Sequence, residues 1–252
     1  MSIRIYLTGR VGIERNSEPV LQERQLRGKQ GRLAFAYLVC ERTRPVSRDE
    51  LASVIWPTED MAAAWEVALS ALISRLRGLL IALREEGVSL ASGLGLYRLL
   101  LPTDAWIDLE AGASALDTAE AAIRTSDPKQ GFGSAVVALN IAKRPFLPGT
   151  DGEWVEGQRR KLERQRLRAL DCLTRIWLAS GEPVLAVENA TEAVSLDPYR
   201  ESSYHLLMRA HAATGNRPEA LRVYHRLREL LAEELGTDPS SEIEALFKEL
   251  LE

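Results

Sequence analysis

Apolar and polar side chains alternate through Ile3-Arg4-Ile5-Tyr6-Leu7, and Val11-Gly12-Ile13 follows after Thr8-Gly9-Arg10. A period of two with an intervening glycine predicts short antiparallel strands. From Lys29 to Cys40 the spacing becomes helical, with Leu33, Ala36, Tyr37 and Cys40 on one stripe. Pro45-Val46-Ser47 opens a second helix, because Ser47-Arg48-Asp49-Glu50 has the S-x-x-E form in which serine and glutamate cap free backbone N–H groups reciprocally. Its inward stripe is Leu51, Val54 and Ile55, and Trp56-Pro57 stops it. A longer helix is expected over 62–84, with Trp65, Leu69, Leu72, Ile73, Leu76, Leu80 and Leu83 on one face. Strands over 88–91 and 96–100 then flank Ser92-Gly93-Leu94-Gly95, whose glycines suit a tight hairpin.

Small sheet, three helices and hairpin are the ingredients of a winged helix-turn-helix, in which the third helix enters the major groove and the hairpin touches the DNA beside it. The stretch from Pro102 to Asp108 reads as a connector, and everything after it as helix: 109–125, 131–143, 153–180, 183–196, 200–214, 217–235 and 240–251. Within that half Gly181, Ala186 and Ala190 are echoed by Gly215, Ala220 and Tyr224, each pair 34 residues apart. This is the period of a helix-turn-helix solenoid repeat, whose small residues let antiparallel helices approach closely and whose glycine closes the turn. The helices from 109 to 143 form an atypical terminal unit and 240–251 a cap. The expected fold class is mainly α with a small β component: a winged helix-turn-helix at 1–107, then an all-α tetratricopeptide-like domain at 108–252.

Composition narrows the partners. The 252 residues are 46% hydrophobic and 27% charged, which suits globular domains. No apolar run approaches the roughly 20 residues needed to span a bilayer, and the N-terminus lacks the apolar core of a signal peptide, so a cytoplasmic protein without membrane contact is expected. The net charge of −4 is uneven: residues 1–107 hold 14 Lys/Arg against 12 Asp/Glu, and residues 108–252 hold 18 against 24. The front half is therefore the one to meet a polyanion. Cys40 and Cys172 each lie in an apolar helical pattern without a CxxC or Cys/His cluster, and read as buried thiols.

The chain resembles the bacterial transcriptional activator domain family, whose best-known members are the antibiotic-pathway regulators abbreviated SARP. The front-half residues that carry the resemblance are Arg44-Pro45-Val46-Ser47-Arg48-Asp49-Glu50-Leu51, Trp56-Pro57, Ile73-Ser74-Arg75-Leu76-Arg77 and Gly95-Leu96-Tyr97-Arg98-Leu99. Those of the back half are Ala220-Leu221-Arg222-Val223-Tyr224 and the run from Leu231 to Ser240. The resemblance implies an OmpR-like winged helix that binds double-stranded DNA, followed by an activator domain that supports homodimerisation and contacts to RNA polymerase. Family members typically bind direct repeats near a promoter. The 252 residues are expected to hold these two modules alone, without the nucleotide-binding or phosphopeptide-binding modules that larger relatives append.

Setting Trp65, Leu69, Leu72, Leu76 and Leu83 inward leaves Ala63, Ala64, Val67, Ser70, Ala71, Ser74, Arg75, Arg77 and Gly78 outward or at the flanks of the third helix. Ser70, Ser74, Arg75 and Arg77 are the expected DNA contacts on that helix, with Arg48 and the wing residue Arg98 on the phosphate backbone. Glu66, Val67 and Ser70 stand where related sequences often carry Asn, Arg, Gln or His. The competing reading is that Arg75 and Arg77 pair with acidic neighbours or solvate an exposed face.

Other constellations read as structural. Arg159, Arg160, Lys161, Arg164, Arg166 and Arg168 are interleaved with Glu153, Glu156, Glu163 and Asp171, as on a solvated helix face. His205, His211 and His225 lack a catalytic partner order, and no glycine-rich phosphate loop precedes a helix, so no catalytic, metal-binding or cofactor-binding residue is assigned. Trp106, Trp154 and Trp177 read as helix packing rather than the lining of a ligand groove. A small-molecule or nucleotide effector stays open, with no residue assigned to it. The expected function is a sequence-specific transcriptional regulator, an activator acting by recruitment. The alternative is a scaffold or effector-binding regulator whose winged helix no longer binds DNA.

Overall fold

A computed structural model describes residues 2–26, 28–56, 65–125 and 127–252. The chain is mainly helical with a small β component, and forms two compact units: residues 1–111 with 144–162, and residues 112–143 with 163–252. Each unit is assembled from two separate stretches of the chain.

The first unit opens with a sheet in the order β3-β2-β1-β7, built from β1 (Ile3–Tyr6), β2 (Gly12–Arg15), β3 (Glu18–Leu21) and β7 (Trp106–Ile107). Alternation sets the register: Ile5 faces Ile13 across β1 and β2, and both are buried. Strand β3 follows a turn at Asn16-Ser17, two non-glycine residues with positive φ, and has no counterpart in the hydrophobic pattern. Strand β7 corrects the reading of 102–108 as a plain connector, since it pairs parallel with β1 through Arg4–Trp106 and Ile5–Ile107. Directly after it, the fully buried Asp108 accepts from the Leu7 N–H at 2.9 Å, the Thr8 N–H at 2.8 Å and the Thr8 hydroxyl at 2.8 Å. Burial outweighs these bonds and pushes its carboxyl above the usual aspartate range.

Three helices follow the sheet in the chain: α1 (Gly28–Cys40), α2 (Arg48–Ile55) and α3 (Trp65–Leu80), the last continuing as a single turn of 3-10 helix over Ile81–Leu83. The expected start of α3 at 62 lies outside the described residues, as do Pro57, Ala63 and Ala64. The second sheet, β4-β6-β5, comprises β4 (Val46–Ser47), β5 (Ser89–Gly93) and β6 (Leu96–Leu100). Residues 144–162 complete this unit: Gly9 N–H donates to the Pro145 carbonyl at 2.8 Å, and Arg159 donates to the carbonyls of Phe146, Leu147 and Thr150. Trp154 packs edge-on to Tyr37 and Phe146, and Trp106 tilts against Tyr6.

The second unit holds most of α4 (Asp108–Arg124), α5 (Phe132–Ala142), the C-terminal half of α6 (Glu153–Ala179), α7 (Pro183–Leu196), α8 (Glu201–Ala213), α9 (Arg217–Leu235) and α10 (Ser241–Leu251). Gly181 and Gly215 adopt φ of 76° and 75° in the turns before α7 and α9, a conformation glycine reaches without strain. Ala186, Ala190, Ala220 and Tyr224 are all buried, so the 34-residue echo marks the helix-packing face. Helices α7, α8, α9 and α10 share one apolar core that includes Val194, Leu207, Met208, Tyr224, Leu227 and Ile243. Trp177 meets Phe132 edge-on in this unit, so the three tryptophans serve separate packing sites. Neither cysteine is disulfide-bonded, and burial pushes both thiols up to about 12. Among the described residues no helix is long and apolar enough to cross a membrane.

Candidate nucleic-acid interface

The start of α2 is fixed first. Ser47 caps it, its hydroxyl accepting from the Glu50 N–H at 3.1 Å. The Glu50 carboxylate is held by Arg44 and by the Tyr37 hydroxyl at 2.5 Å, and the Arg44 guanidinium leads in bringing it down to about 2. Strand β4 joins this cap to the hairpin, pairing Val46 with Tyr97 and Ser47 with Leu96. The Arg48 N–H then donates to the Gly95 carbonyl at 3.1 Å, which joins the hairpin tip to the head of α2.

The hairpin turns on Leu94-Gly95, with φ of 50° and 75°, the two left-handed residues that a type I′ turn requires. Leu94 is fully exposed and contributes nothing to the core. The strand register runs from Ser89–Leu100 to Gly93–Leu96, which buries Leu90, Tyr97 and Leu99 and turns Leu96, Arg98 and Leu100 outward.

Helix α3 buries Leu69, Leu72, Ile73, Leu76 and Leu80, as its period requires. Burying one such side chain contributes about 1.5–3 kcal/mol, so the opposite face is fixed in direction. That face exposes Val67 at 72%, together with Ser70, Ala71, Ser74 and Arg75. Ser70 and Ser74 stand one turn apart with Arg75 beside them. Arg75 has no ion-pair partner among the described residues.

The other expected contacts are partly committed elsewhere. Arg77 is half-buried and its Nε donates to the Leu90 carbonyl at 3.0 Å, which ties α3 to β5. Arg98 is exposed, yet donates from Nε to the Arg42 carbonyl at 3.2 Å and from Nη2 to the Thr43 carbonyl at 3.3 Å, closing the chain after α1 onto the hairpin. Arg48 lies 3.6 Å from Glu66, a partner on the first turn of α3. The structure thus brings Ser70, Ser74 and Arg75 together, sets Arg48 beside the hairpin tip, and gives Arg77 and Arg98 structural duties that leave some guanidinium N–H groups over. Two features escape the expected set: the acidic Glu66 beside Arg48, and the exposed apolar tip Leu94 next to Leu96. An apolar residue ahead of Gly95 at the centre of the turn was the available signal for the second.

Three positions of the basic run on α6 are ion-paired. Arg159 binds Glu156 and backbone carbonyls, Arg166 meets Glu192 at 2.7 Å, and Arg168 meets Glu120 at 2.7 Å. Of the histidines, His205 lies 3.8 Å from Glu242, burial lowers the pKa of His205 and His211, and His225 packs against Tyr224 and Phe247.

With this geometry in hand, comparison with known proteins is specific. The model of the bacterial transcriptional activator domain family matches residues 107–251. The regulatory protein AfsR of Streptomyces coelicolor is 30% identical over 223 residues, covering 88% of this chain and 22% of that protein. The transcriptional regulatory protein MoaR1 of Mycobacterium tuberculosis is 28% identical over 225 residues, covering 87% of this chain and 71% of that one. The structure of Mycobacterium tuberculosis EmbR in complex with a low-affinity phosphopeptide superposes with a TM-score of 0.85 at 24% identity, over 99% of this chain and 65% of EmbR. The chain therefore spans about a fifth of AfsR and about two thirds of the EmbR chain, and shares the EmbR fold.

Proposed function

Since the chain belongs to the bacterial transcriptional activator domain family, we propose that it regulates transcription by binding promoter DNA through its winged helix. In this reading α3 enters the major groove, and Ser70, Ser74 and Arg75 meet base edges and phosphates there. Arg48 and the β5–β6 hairpin lie along the neighbouring backbone, with the unspent N–H groups of Arg77 and Arg98 as secondary donors. AfsR and MoaR1, named as regulatory proteins, support this class of function. The helical repeats supply self-association and the surface for RNA polymerase, so that activation proceeds by recruitment and a homodimer spans two half-sites.

The observation that carries the reading is the exposed row Ser70, Ser74 and Arg75 opposite the buried stripe of α3. Its test is capture of genomic promoter fragments by the wild-type protein and by a Ser70/Ser74/Arg75→Ala variant. Selective capture that the variant loses supports DNA reading; equal capture by both removes α3 from the interface.

One observation favours a second reading. Val67, Ala71, Leu94 and Leu96 are exposed, and an apolar face of this kind suits contact with another protein. Under that reading no fragment is retained even at low salt, and a Val67→Glu variant loses a protein partner instead.

A further inference from the structure

The second unit contains a recess, rimmed by charged side chains over Ile123 and Cys172, that DNA reading does not use. Residues Arg168, Asp171 and Arg175 are spaced three and four apart on α6 and so share one face, and Glu120 and Arg124 share a face of α4 for the same reason. With Arg200 at the head of α8 they line a recess of about 250 Å³. Four guanidinium groups therefore surround a space that holds two carboxylates.

The two carboxylates leave much of this charge unanswered. Glu120 is taken by Arg168 through paired bonds of 2.7 and 2.8 Å, and Asp171 Oδ2 by Arg200 Nη2 at 2.6 Å. Arg124 and Arg175 have no ion-pair partner among the described residues. Two buried atoms of the Arg200–Asp171 pair also lack a hydrogen-bond partner: Arg200 Nη1, a donor, and Asp171 Oδ1, an acceptor. A buried donor or acceptor left unpaired is costly. A donor and an acceptor orphaned in one ion pair define the complement they need, a group carrying acceptor oxygens together with an O–H.

From the cavity, the surplus guanidiniums and this orphaned pair, we infer that the recess binds the phosphoryl group of a phosphomonoester or of free phosphate. Its oxygens accept from Arg124, Arg175 and Arg200 Nη1 in the forked geometry that guanidinium offers to phosphate. A singly protonated phosphoryl group also donates its O–H to Asp171 Oδ1, completing the pair. The site belongs to the helical unit, and its existence does not depend on whether the winged helix binds DNA.

The test is isothermal titration of the full chain with inorganic phosphate and with adenosine monophosphate at constant ionic strength, using sodium chloride as the blank. It compares the wild type with Arg124→Gln/Arg175→Gln, a variant that spares both ion pairs of the recess and is checked for unchanged folding by circular dichroism and Tm. Saturable binding of either probe, weakened about tenfold or more in the variant, supports the site. Binding of both probes assigns it to the phosphoryl group alone, and binding of the monophosphate only assigns it to a larger phosphomonoester. Equal binding by wild type and variant, or binding of neither probe, overturns the inference.

Discussion

Arg77 Nε donates to the carbonyl of Leu90 at 3.0 Å, tying the last turns of α3 to the first strand of the hairpin. Its neighbour Arg75, two residues away, is exposed and has no ion-pair partner among the described residues. Arg75→Ala is therefore expected to leave urea-denaturation stability within about 0.5 kcal/mol, whereas Arg77→Ala costs about 1 kcal/mol for the lost hydrogen bond. Equal stability losses in the two variants would refute this division of labour.

Glu66 holds a carboxylate 3.6 Å from Arg48, near where a phosphate would sit. Removing it frees the cation and withdraws a repelling charge. Glu66→Gln is expected to tighten binding of a retained promoter fragment about 2- to 5-fold at low salt, on the scale of an exposed ion pair, and the gain shrinks as salt screens it. Unchanged binding in electrophoretic mobility-shift titrations would place Arg48 away from the duplex.

Glu50 sits at about 2, against an ordinary value of 4.5, with Arg44 as the leading cause. A carboxyl lowered on folding adds stability that is complete above its unfolded value and is lost as pH falls toward the folded one. Glu50→Gln should thus be less stable than wild type at pH 7, with the gap closing steadily between about pH 5 and pH 2. Guanidinium denaturation across that range reads it, and a gap that widens toward acid contradicts the assignment.

Leu94 occupies a left-handed position at the hairpin tip, with φ of 50° and a fully exposed side chain. Asparagine tolerates that backbone better. Leu94→Asn is expected to raise stability by about 0.4–1 kcal/mol, measured as an increase in Tm. A fall in Tm would mean that the leucine makes a contact worth more than the strain.

Ala220 is fully buried between α9 and its neighbours. Ala220→Leu should destabilise by about 1–3 kcal/mol through overpacking, and Ala220→Gly by about 1 kcal/mol through helix propensity. Thermal unfolding of both variants tests whether close approach at the repeat position is what the small residue provides.

Much of this architecture is legible in the chain because its signals are local. Gly181, Gly215 and Gly236 end helices, Pro183 and Pro218 open them, and Ser47 caps α2. What escaped depends on partners distant in sequence. Trp106-Ile107 is too short to show a period, and becomes a strand only because β1 offers a free edge about a hundred residues earlier. The role of Asp108 follows from the same encounter, since its acceptors meet Leu7 and Thr8. At the candidate interface, the outward row of α3 follows from a period of 3.6. The capture of Arg77 and Arg98 by backbone carbonyls does not, because no residue pattern says where a guanidinium will find an unpaired oxygen.

The central claim is that α3 meets DNA through Ser70, Ser74 and Arg75. The most direct measurement is the salt dependence of binding to a retained promoter fragment, wild type against Arg75→Ala. In the wild type log K is expected to fall linearly with log salt, and the variant to bind more weakly with a slope smaller by about one unit. Identical slopes and affinities would contradict it and place the DNA, if any is bound, elsewhere on the protein.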